Sequence, residues 1–167
     1  GITGTEVSKD AATMILADDN FATIIKAVSN GRNVFRNIKN AIIFLLSGNM
    51  AGILTVLYTV LLGLPAPFTP VHLLFMNLLT DSLPAIAIGM EPSDKSLLRM
   101  PPRNHKDGLL TKDFIQKILI QGGLVAIATV ISYYIGLNVS SGFATTMAFL
   151  TLTIARLFHC FNCRNDK

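Results

Sequence analysis

Four long apolar stretches dominate the hydrophobic pattern of this chain, and they cover residues 41–64, 66–90, 118–137 and 142–161. Each stretch is long enough to cross a bilayer, whose hydrocarbon core takes about 20 helical residues. The pattern therefore predicts a mainly α fold, a polytopic membrane bundle of four transmembrane helices. The composition agrees with this prediction, because only 14% of the residues are charged, whereas soluble domains carry about 25%.

The first 40 residues follow a different pattern. The short apolar run ATMIL at residues 12–16 is typical of a buried strand, and the polar run ADDN at residues 17–20 is suited to cap a helix. From Phe21 onwards apolar positions recur at helical spacing, although Gly31 weakens the pattern, so we expect one helix to continue into the first apolar stretch. A strand and a helix are too small to form a core of their own. We therefore expect residues 1–40 to be the strand-plus-helix tail of a cytoplasmic α/β domain, and the chain to be a fragment of a longer protein.

Basic residues are distributed unevenly around the apolar stretches. The loops at residues 63–70 and 138–141 contain no charge, whereas basic side chains precede the first stretch and lie between the second and the third: Lys26, Arg32, Arg36, Lys39, Lys95, Arg99, Arg103, Lys106, Lys112 and Lys117. By the positive-inside rule, we expect the N-terminus, the loop at residues 91–112 and the C-terminus to be cytoplasmic. Membrane topology thus accounts for the net charge of +4. We expect a lipid bilayer as a partner, and no nucleic acid.

One aspartate interrupts the second apolar stretch. Asn77, Thr80 and Asp81 are spaced i, i+3, i+4, so a helix places them on one face. A charged side chain at the bilayer centre costs roughly 2.5–3.5 kcal/mol on insertion scales, and by default it indicates an ion or substrate pathway. Carboxylate, amide and hydroxyl oxygens suit Ca²⁺, Mg²⁺ or Mn²⁺ better than soft metals. The alternative is a carboxylate that only pairs with another helix.

Pro84 follows this aspartate within the same stretch. Proline lacks an N–H group, and its ring clashes with the carbonyl four residues earlier, which here belongs to Thr80. We therefore expect the helix to loosen beside Asp81. Transporters use such breaks to bind cations with freed carbonyl groups near the bilayer midplane.

The two cysteines, Cys160 and Cys163, have the C-x-x-C spacing and lie next to His159. This spacing occurs in metal and redox sites. A single pair without a second one is a weak signal, so we favour the interpretation that they are two small residues at a helix end. A disulfide is not expected on the cytoplasmic side.

Several motifs together resemble the calcium-transporting class of P-type ATPases. They are GITGTEVSKDAATMIL and DDNF within residues 1–21, MNLLTDSLP at residues 76–84, GMEP at 89–92 and PPR at 101–103. The resemblance extends over essentially the whole chain. It implies that residues 1–40 end the phosphorylation domain and begin a stalk helix, and that residues 41–167 form a cation-transport domain with membrane helices five to eight. The implied function is the ATP-driven export of Ca²⁺ across a membrane, and the implied location is a bacterial plasma membrane.

The resemblance also implies which residues bind the cation. Asn77 and Asp81 match ligands on the sixth helix, and Asp81 is the central one. Thr80 and Asn49 match ligands of the other calcium site in pumps that bind two ions. The alternative for Asn49 is a helix-packing role, because interhelical hydrogen bonds are common in membranes.

Two positions depart from the pattern of two-site pumps. Where those pumps have acidic residues, this chain has Gly52 and Arg156. Because arginine stays protonated, a guanidinium in the second site would repel a second divalent ion. The departures favour one Ca²⁺ per cycle, with Arg156 as a built-in counter-cation that pairs with Asp81. The alternative for Arg156 is snorkelling to the membrane interface.

The remaining parts of such a pump are expected outside these 167 residues. They are the nucleotide-binding domain, the actuator domain and membrane helices one to four, which would be the partners of this chain and would bind Mg²⁺ and ATP. The chain alone is not expected to hydrolyse ATP. Two alternatives stay open: a pump for Mn²⁺ or another divalent cation, and a passive channel or secondary transporter with Asp81 as a filter or proton site.

Overall fold

The computed structural model describes residues 2–93, 95–99, 101 and 110–164, which are mostly helical. The helices are α1 (Glu6–Ala11), α2 (Phe21–Leu61), α3 (Pro70–Phe75), a π-helical segment (Met76–Asp81), α4 (Ser82–Gly89), a 3₁₀ helix (Lys95–Arg99), α5 (Lys112–Leu137) and α6 (Ser141–Arg164). The predicted helical fold is confirmed. Among the described residues, four helices are long and apolar enough to cross a membrane: Phe21–Leu61, Pro70–Gly89, Lys112–Leu137 and Ser141–Arg164.

The described residues form two compact units, of which the first contains residues up to 36 and those from 92 to 101. Within this unit, Arg32 Nη1 donates a hydrogen bond to the Leu97 carbonyl at 2.6 Å. Arg36 Nη2 donates to the Pro92 carbonyl at 3.5 Å. The first contact holds the 3₁₀ helix through its backbone, and the second holds the segment before it. Pro102, Arg103 and Lys106, which the sequence analysis placed in the loop at 91–112, lie outside the described residues.

The predicted strand at residues 12–16 is wrong. These residues are irregular, and no strand occurs anywhere in the described part of the chain. A strand needs a neighbouring strand as a hydrogen-bonding partner, and none is available here. Met14 and Ile15 are accordingly exposed. The preceding residues form α1, capped by Thr5, whose hydroxyl accepts a hydrogen bond from the Ser8 N–H.

The polar run before α2 caps this helix, as its composition predicted. Asn20 Oδ1 accepts a hydrogen bond from the Ala22 N–H at 3.0 Å. Asp18 Oδ2 accepts one from the Thr23 hydroxyl at 2.6 Å, and this bond lowers the pKa of Asp18. Gly31 does not interrupt α2, which continues for 41 residues.

In the second unit, which contains the remaining described residues, the helices approach each other at small residues. A Cβ atom on Gly136 would lie 2.5 Å from Ala144 Cα, so α5 and α6 form a tight hairpin. A Cβ on Gly122 would lie 2.9 Å from the Ser47 carbonyl oxygen, so α5 also packs closely on α2. Such small-residue contacts replace the hydrophobic driving force that is missing in lipid.

Two apolar clusters fill the interior of this unit. One contains Ala51, Phe68, Met76, Ala126, Tyr133, Ala144, Ala148 and Leu152. The other contains Ile43, Phe44, Ile88, Phe114, Ile118 and Cys163. Both clusters draw on α2, α5 and α6, and together they fix these helices around the polar residues described next.

Candidate cation site

The helix that carries Asp81 is widened immediately before it. Residues Met76–Asp81 form a π-helix, and Ser82 Oγ donates a hydrogen bond to the Asn77 carbonyl at 3.0 Å. Pro84 has no N–H to offer the Thr80 carbonyl, which removes one bond of the regular helix. The predicted loosening beside Asp81 is therefore confirmed, and it takes a form that is frequent at functional sites.

Arg156 reaches Asp81 from α6. The two side chains are buried, and Arg156 Nη1 lies 2.6 Å from Asp81 Oδ1. Arg156 Nη2 donates to the Gly48 carbonyl at 2.5 Å and lies 3.4 Å from Asn49 Oδ1. One guanidinium therefore links the π-helical segment to α2 and neutralises the buried carboxylate.

Gly48 makes room for this guanidinium. A Cβ atom at that position would lie 2.9 Å from Arg156 Nε and 3.2 Å from Arg156 Cζ. A Cβ at Gly52 would lie 3.8 Å from Arg156 Nη2, which is an ordinary contact. The sequence analysis singled out Gly52 and missed Gly48. Its position beside Asn49 is the one signal that pointed to it.

The other predicted site residues differ in their placement. Asn49, Gly52, Asn77 and Arg156 line one groove of about 700 Å³, whose walls are otherwise apolar. Asn77 is exposed on this groove, whereas Thr80 is 4% exposed and is not among the lining residues. The structure thus brings Asn49, Asn77 and Arg156 together, and joins Asp81 to them through the Arg156 contact.

The side-chain oxygen atoms that the structure brings together here are hard donors: the carboxylate of Asp81 and the amide oxygens of Asn49 and Asn77. Within the part of the chain that the structure describes, no three His, Cys, Asp or Glu side chains are close enough to share a metal. Ca²⁺ takes 6–8 oxygen ligands, which is more than these side chains supply. A cation bound here would need further ligands, such as carbonyl groups freed at the π-helical segment.

A second polar contact joins α2 to α6 close to the first. Ser47 Oγ lies 2.7 Å from His159 Nε2, and Cys163 Sγ lies 3.3 Å from the same nitrogen. All three residues are buried, whereas Cys160 is only partly buried, and neither cysteine forms a disulfide. The sequence analysis mentioned His159 only beside the cysteine pair and missed Ser47. The signal for His159 was an ionisable residue in an apolar stretch.

Comparison with known proteins gives consistent matches. The family model described as "Cation transporting ATPase, C-terminus" matches residues 65–167. The calcium-transporting ATPase of Bacillus subtilis is 40% identical over 169 residues, covering 99% of this chain and 19% of that protein. Calcium-transporting ATPase 1 of Lactococcus lactis is 43% identical, covering 98% of this chain and 19% of that protein. Human calcium-transporting ATPase type 2C member 1 is 38% identical, and the match covers 99% of this chain and 18% of that protein. The chain thus spans about a fifth of the length of these relatives.

Proposed function

Since the chain belongs to the family of cation-transporting ATPases, whose C-terminal region it matches, we propose that it supplies the transmembrane cation site of an ATP-driven calcium pump. The observation that carries this proposal is the buried contact between Asp81 and Arg156 beside a π-helical segment. A buried carboxylate with a movable cationic partner suits a site that alternates between two occupants. The relatives named as calcium-transporting ATPases support Ca²⁺ as the transported ion.

In the proposed mechanism, Ca²⁺ and Arg156 take turns at Asp81. In the ion-free state the guanidinium neutralises the carboxylate, because an unpaired buried charge is costly. Ca²⁺ then displaces Arg156 from Asp81 and takes further oxygens from Asn77, with Asn49 and Thr80 as additional or supporting ligands. After release, Arg156 returns to Asp81 as the built-in counter-cation.

We further propose a division of the chain into two functional parts. Residues 1–40 would end a cytoplasmic phosphorylation domain and begin a stalk helix, and residues 41–167 would form the transport domain. The N-terminus and the loop at 91–112 would face the cytoplasm, and the membrane would be a bacterial plasma membrane. ATP and Mg²⁺ would bind in other domains of the longer protein, whose movements α2 would carry to Asn49. The continuous 41 residues of α2 support this role.

The test is ATP-dependent uptake of radioactive calcium into vesicles that contain the full-length protein. We expect uptake in the wild type and its loss in Asp81→Asn, which removes the anionic ligand. Asp113→Asn is the matched control, because it makes the same chemical change at an exposed position in the first turn of α5. Normal uptake in Asp81→Asn would refute the site assignment.

The same vesicles separate the alternative functions. ATP-dependent uptake of Mn²⁺ without Ca²⁺ would keep the site and change the ion, since Mn²⁺ also accepts oxygen ligands. Uptake of either ion without ATP would instead indicate a channel or a secondary transporter.

A further inference from the structure

The buried contact of Ser47, His159 and Cys163, called here the α2–α6 latch, has no role in the mechanism above. It lies close to the Arg156 site on both helices. On α2, Ser47 directly precedes Gly48, whose carbonyl accepts from Arg156. On α6, His159 follows Arg156 by three residues, so the two side chains lie on the same face of the helix.

The direction of the hydrogen bonds in the latch follows from its neighbours. The Ser47 hydroxyl donates to the Phe44 carbonyl at 3.1 Å. Its oxygen is then an acceptor for His159 Nε2–H at 2.7 Å, which assigns a proton to Nε2. The Cys163 sulfur lies 3.3 Å from this nitrogen and is a weak acceptor for the same proton.

The latch restrains the helix that carries Arg156. The His159 ring also lies against the Phe44 ring, with centroids 6.2 Å apart. With both a hydrogen bond and a ring contact, α6 has little freedom to rotate or slide against α2. A long side chain on a fixed helix loses less freedom when it binds its partner, which favours binding.

We infer that His159 is a positioning residue, whose hydrogen bond to Ser47 fixes α6 against α2 and thereby holds the Arg156 guanidinium within reach of Asp81. This inference rests on the proposed function, since it assigns His159 to the cation site through Arg156. A well-held guanidinium competes effectively with the cation for Asp81. Loosening the latch weakens the competitor, so the cation binds at lower concentration.

The experiment compares two replacements of His159 in the full-length protein. Half-maximal calcium concentration and maximal rate are measured separately for calcium-dependent ATP hydrolysis. His159→Leu, which has no donor, lowers the half-maximal concentration by roughly three- to tenfold, in line with coupling between residues of one network. His159→Gln, whose amide nitrogen can reach Ser47, restores the wild-type value. Cys160→Ser is the control on the neighbouring residue and leaves the value unchanged.

A double-mutant cycle decides whether the effect passes through Arg156. In an Arg156→Ala background, His159→Leu no longer changes the half-maximal concentration, because the competitor is gone. If His159→Leu shifts the half-maximal calcium concentration equally in the wild-type and Arg156→Ala backgrounds, or in neither, the inference is overturned. A loss of maximal rate alone, without a shift, also overturns it, since that is the result of a merely structural role.

A readout without calcium separates this inference from the proposed function. Alkylation of Cys163, mapped by mass spectrometry in calcium-free protein, becomes several times faster in His159→Leu and stays slow in His159→Gln. Unchanged alkylation in His159→Leu overturns the latch. Faster alkylation in a protein whose ATP hydrolysis does not respond to calcium supports the latch and refutes the proposed function.

Discussion

Asp81 and Arg156 hold opposite charges against each other in the interior, 2.6 Å apart, and both are less than a tenth exposed. Burying each charge alone costs several kcal/mol, and their attraction offsets this cost only while both are present. The pair is therefore a poor source of net stability, yet each partner depends strongly on the other. That dependence would be useful in the proposed mechanism, in which Arg156 leaves Asp81 when a cation arrives.

Removing one charge of this pair should lower the free energy of unfolding more than removing both charges. We expect Arg156→Met to lower the free energy of unfolding by about 3–5 kcal/mol, because it leaves Asp81 buried and unpaired. The double variant Asp81→Leu/Arg156→Met should recover most of that loss. Titration with a denaturing detergent, with unfolding monitored by circular dichroism, measures the free energy of unfolding of both variants. A double variant as unstable as the single one would contradict this view of the pair.

Gly48 should tolerate no side chain while Arg156 is in place. We expect Gly48→Ala to destabilise the protein by about 1–3 kcal/mol, because its Cβ would lie 2.9 Å from Arg156 Nε in a packed interior. Gly123→Ala is the matched control, since its Cβ meets nothing within 4 Å. There the higher helix propensity of alanine should make the change neutral or stabilising, by up to about 1 kcal/mol. The same unfolding assay compares the two, and equal effects would contradict the role of Gly48.

Single residues differ in how far the sequence could identify them. Asp81 was recognisable because a carboxylate in an apolar stretch is costly and therefore significant. Ser47 and Gly48 were not recognisable, because small residues are common in membrane helices for packing alone. Their roles depend on which residue of α6 faces them, and periodicity along one helix does not determine the rotation of another.

The helix from Pro70 to Gly89 shows how one residue changes a whole element. Pro84 lacks the N–H that would bond to the Thr80 carbonyl, and the six residues Met76–Asp81 are π-helical rather than α-helical. A π-helix has i→i+5 hydrogen bonds and a wider turn. The direction of the Asp81 side chain therefore depends on a proline that is not among the residues lining the candidate site.

Restoring this N–H should make the helix more regular and weaken cation binding at the proposed site. We expect Pro84→Ala to allow the regular α-helical bond and to stabilise the helix by up to about 3 kcal/mol. We also expect it to raise the half-maximal calcium concentration, since Asp81 would turn away from the other proposed ligands, Asn49 and Asn77. Pro70→Ala is the control, because Pro70 occupies the first turn of α3, where a missing N–H costs little. Calcium-dependent ATP hydrolysis of the full-length protein gives the measurement. An unchanged calcium dependence in Pro84→Ala would show that the π-helical segment does not orient Asp81.

Among the elements, long apolar helices were predictable and the N-terminal strand was not. Apolar length alone indicates a spanning helix, whereas a strand depends on a partner that residues 12–16 do not find among the described residues. Helix ends follow capping rather than hydropathy. For example, α5 begins at Lys112, before the apolar stretch, because the Thr111 hydroxyl accepts a hydrogen bond from the Phe114 N–H.

For the molecule as a whole, the balance of charge would limit how many ions the proposed site could hold. Among the described residues, Arg156 lines the groove and brings one fixed positive charge, and the carboxylate that it contacts is that of Asp81. Two divalent ions about 6 Å apart repel each other by on the order of 10 kcal/mol at an effective dielectric constant of about 20. A second ion would therefore need additional carboxylates, and Gly52 offers none.

This charge balance predicts the stoichiometry of transport. We expect about one Ca²⁺ per ATP in the wild type even at saturating calcium, because the Arg156 charge adds to the repulsion of a second ion. Arg156→Ala removes that positive charge without supplying a carboxylate, so its ratio should also stay near one while its half-maximal calcium concentration changes. Parallel measurement of calcium uptake and phosphate release in sealed vesicles gives the ratio, and an ionophore controls for leakage.

A ratio near two in the wild type would mean that Arg156 does not occupy the second site during the cycle. A ratio that rises to two only in Arg156→Ala would mean that its charge alone, rather than the missing carboxylate at Gly52, excludes the second ion.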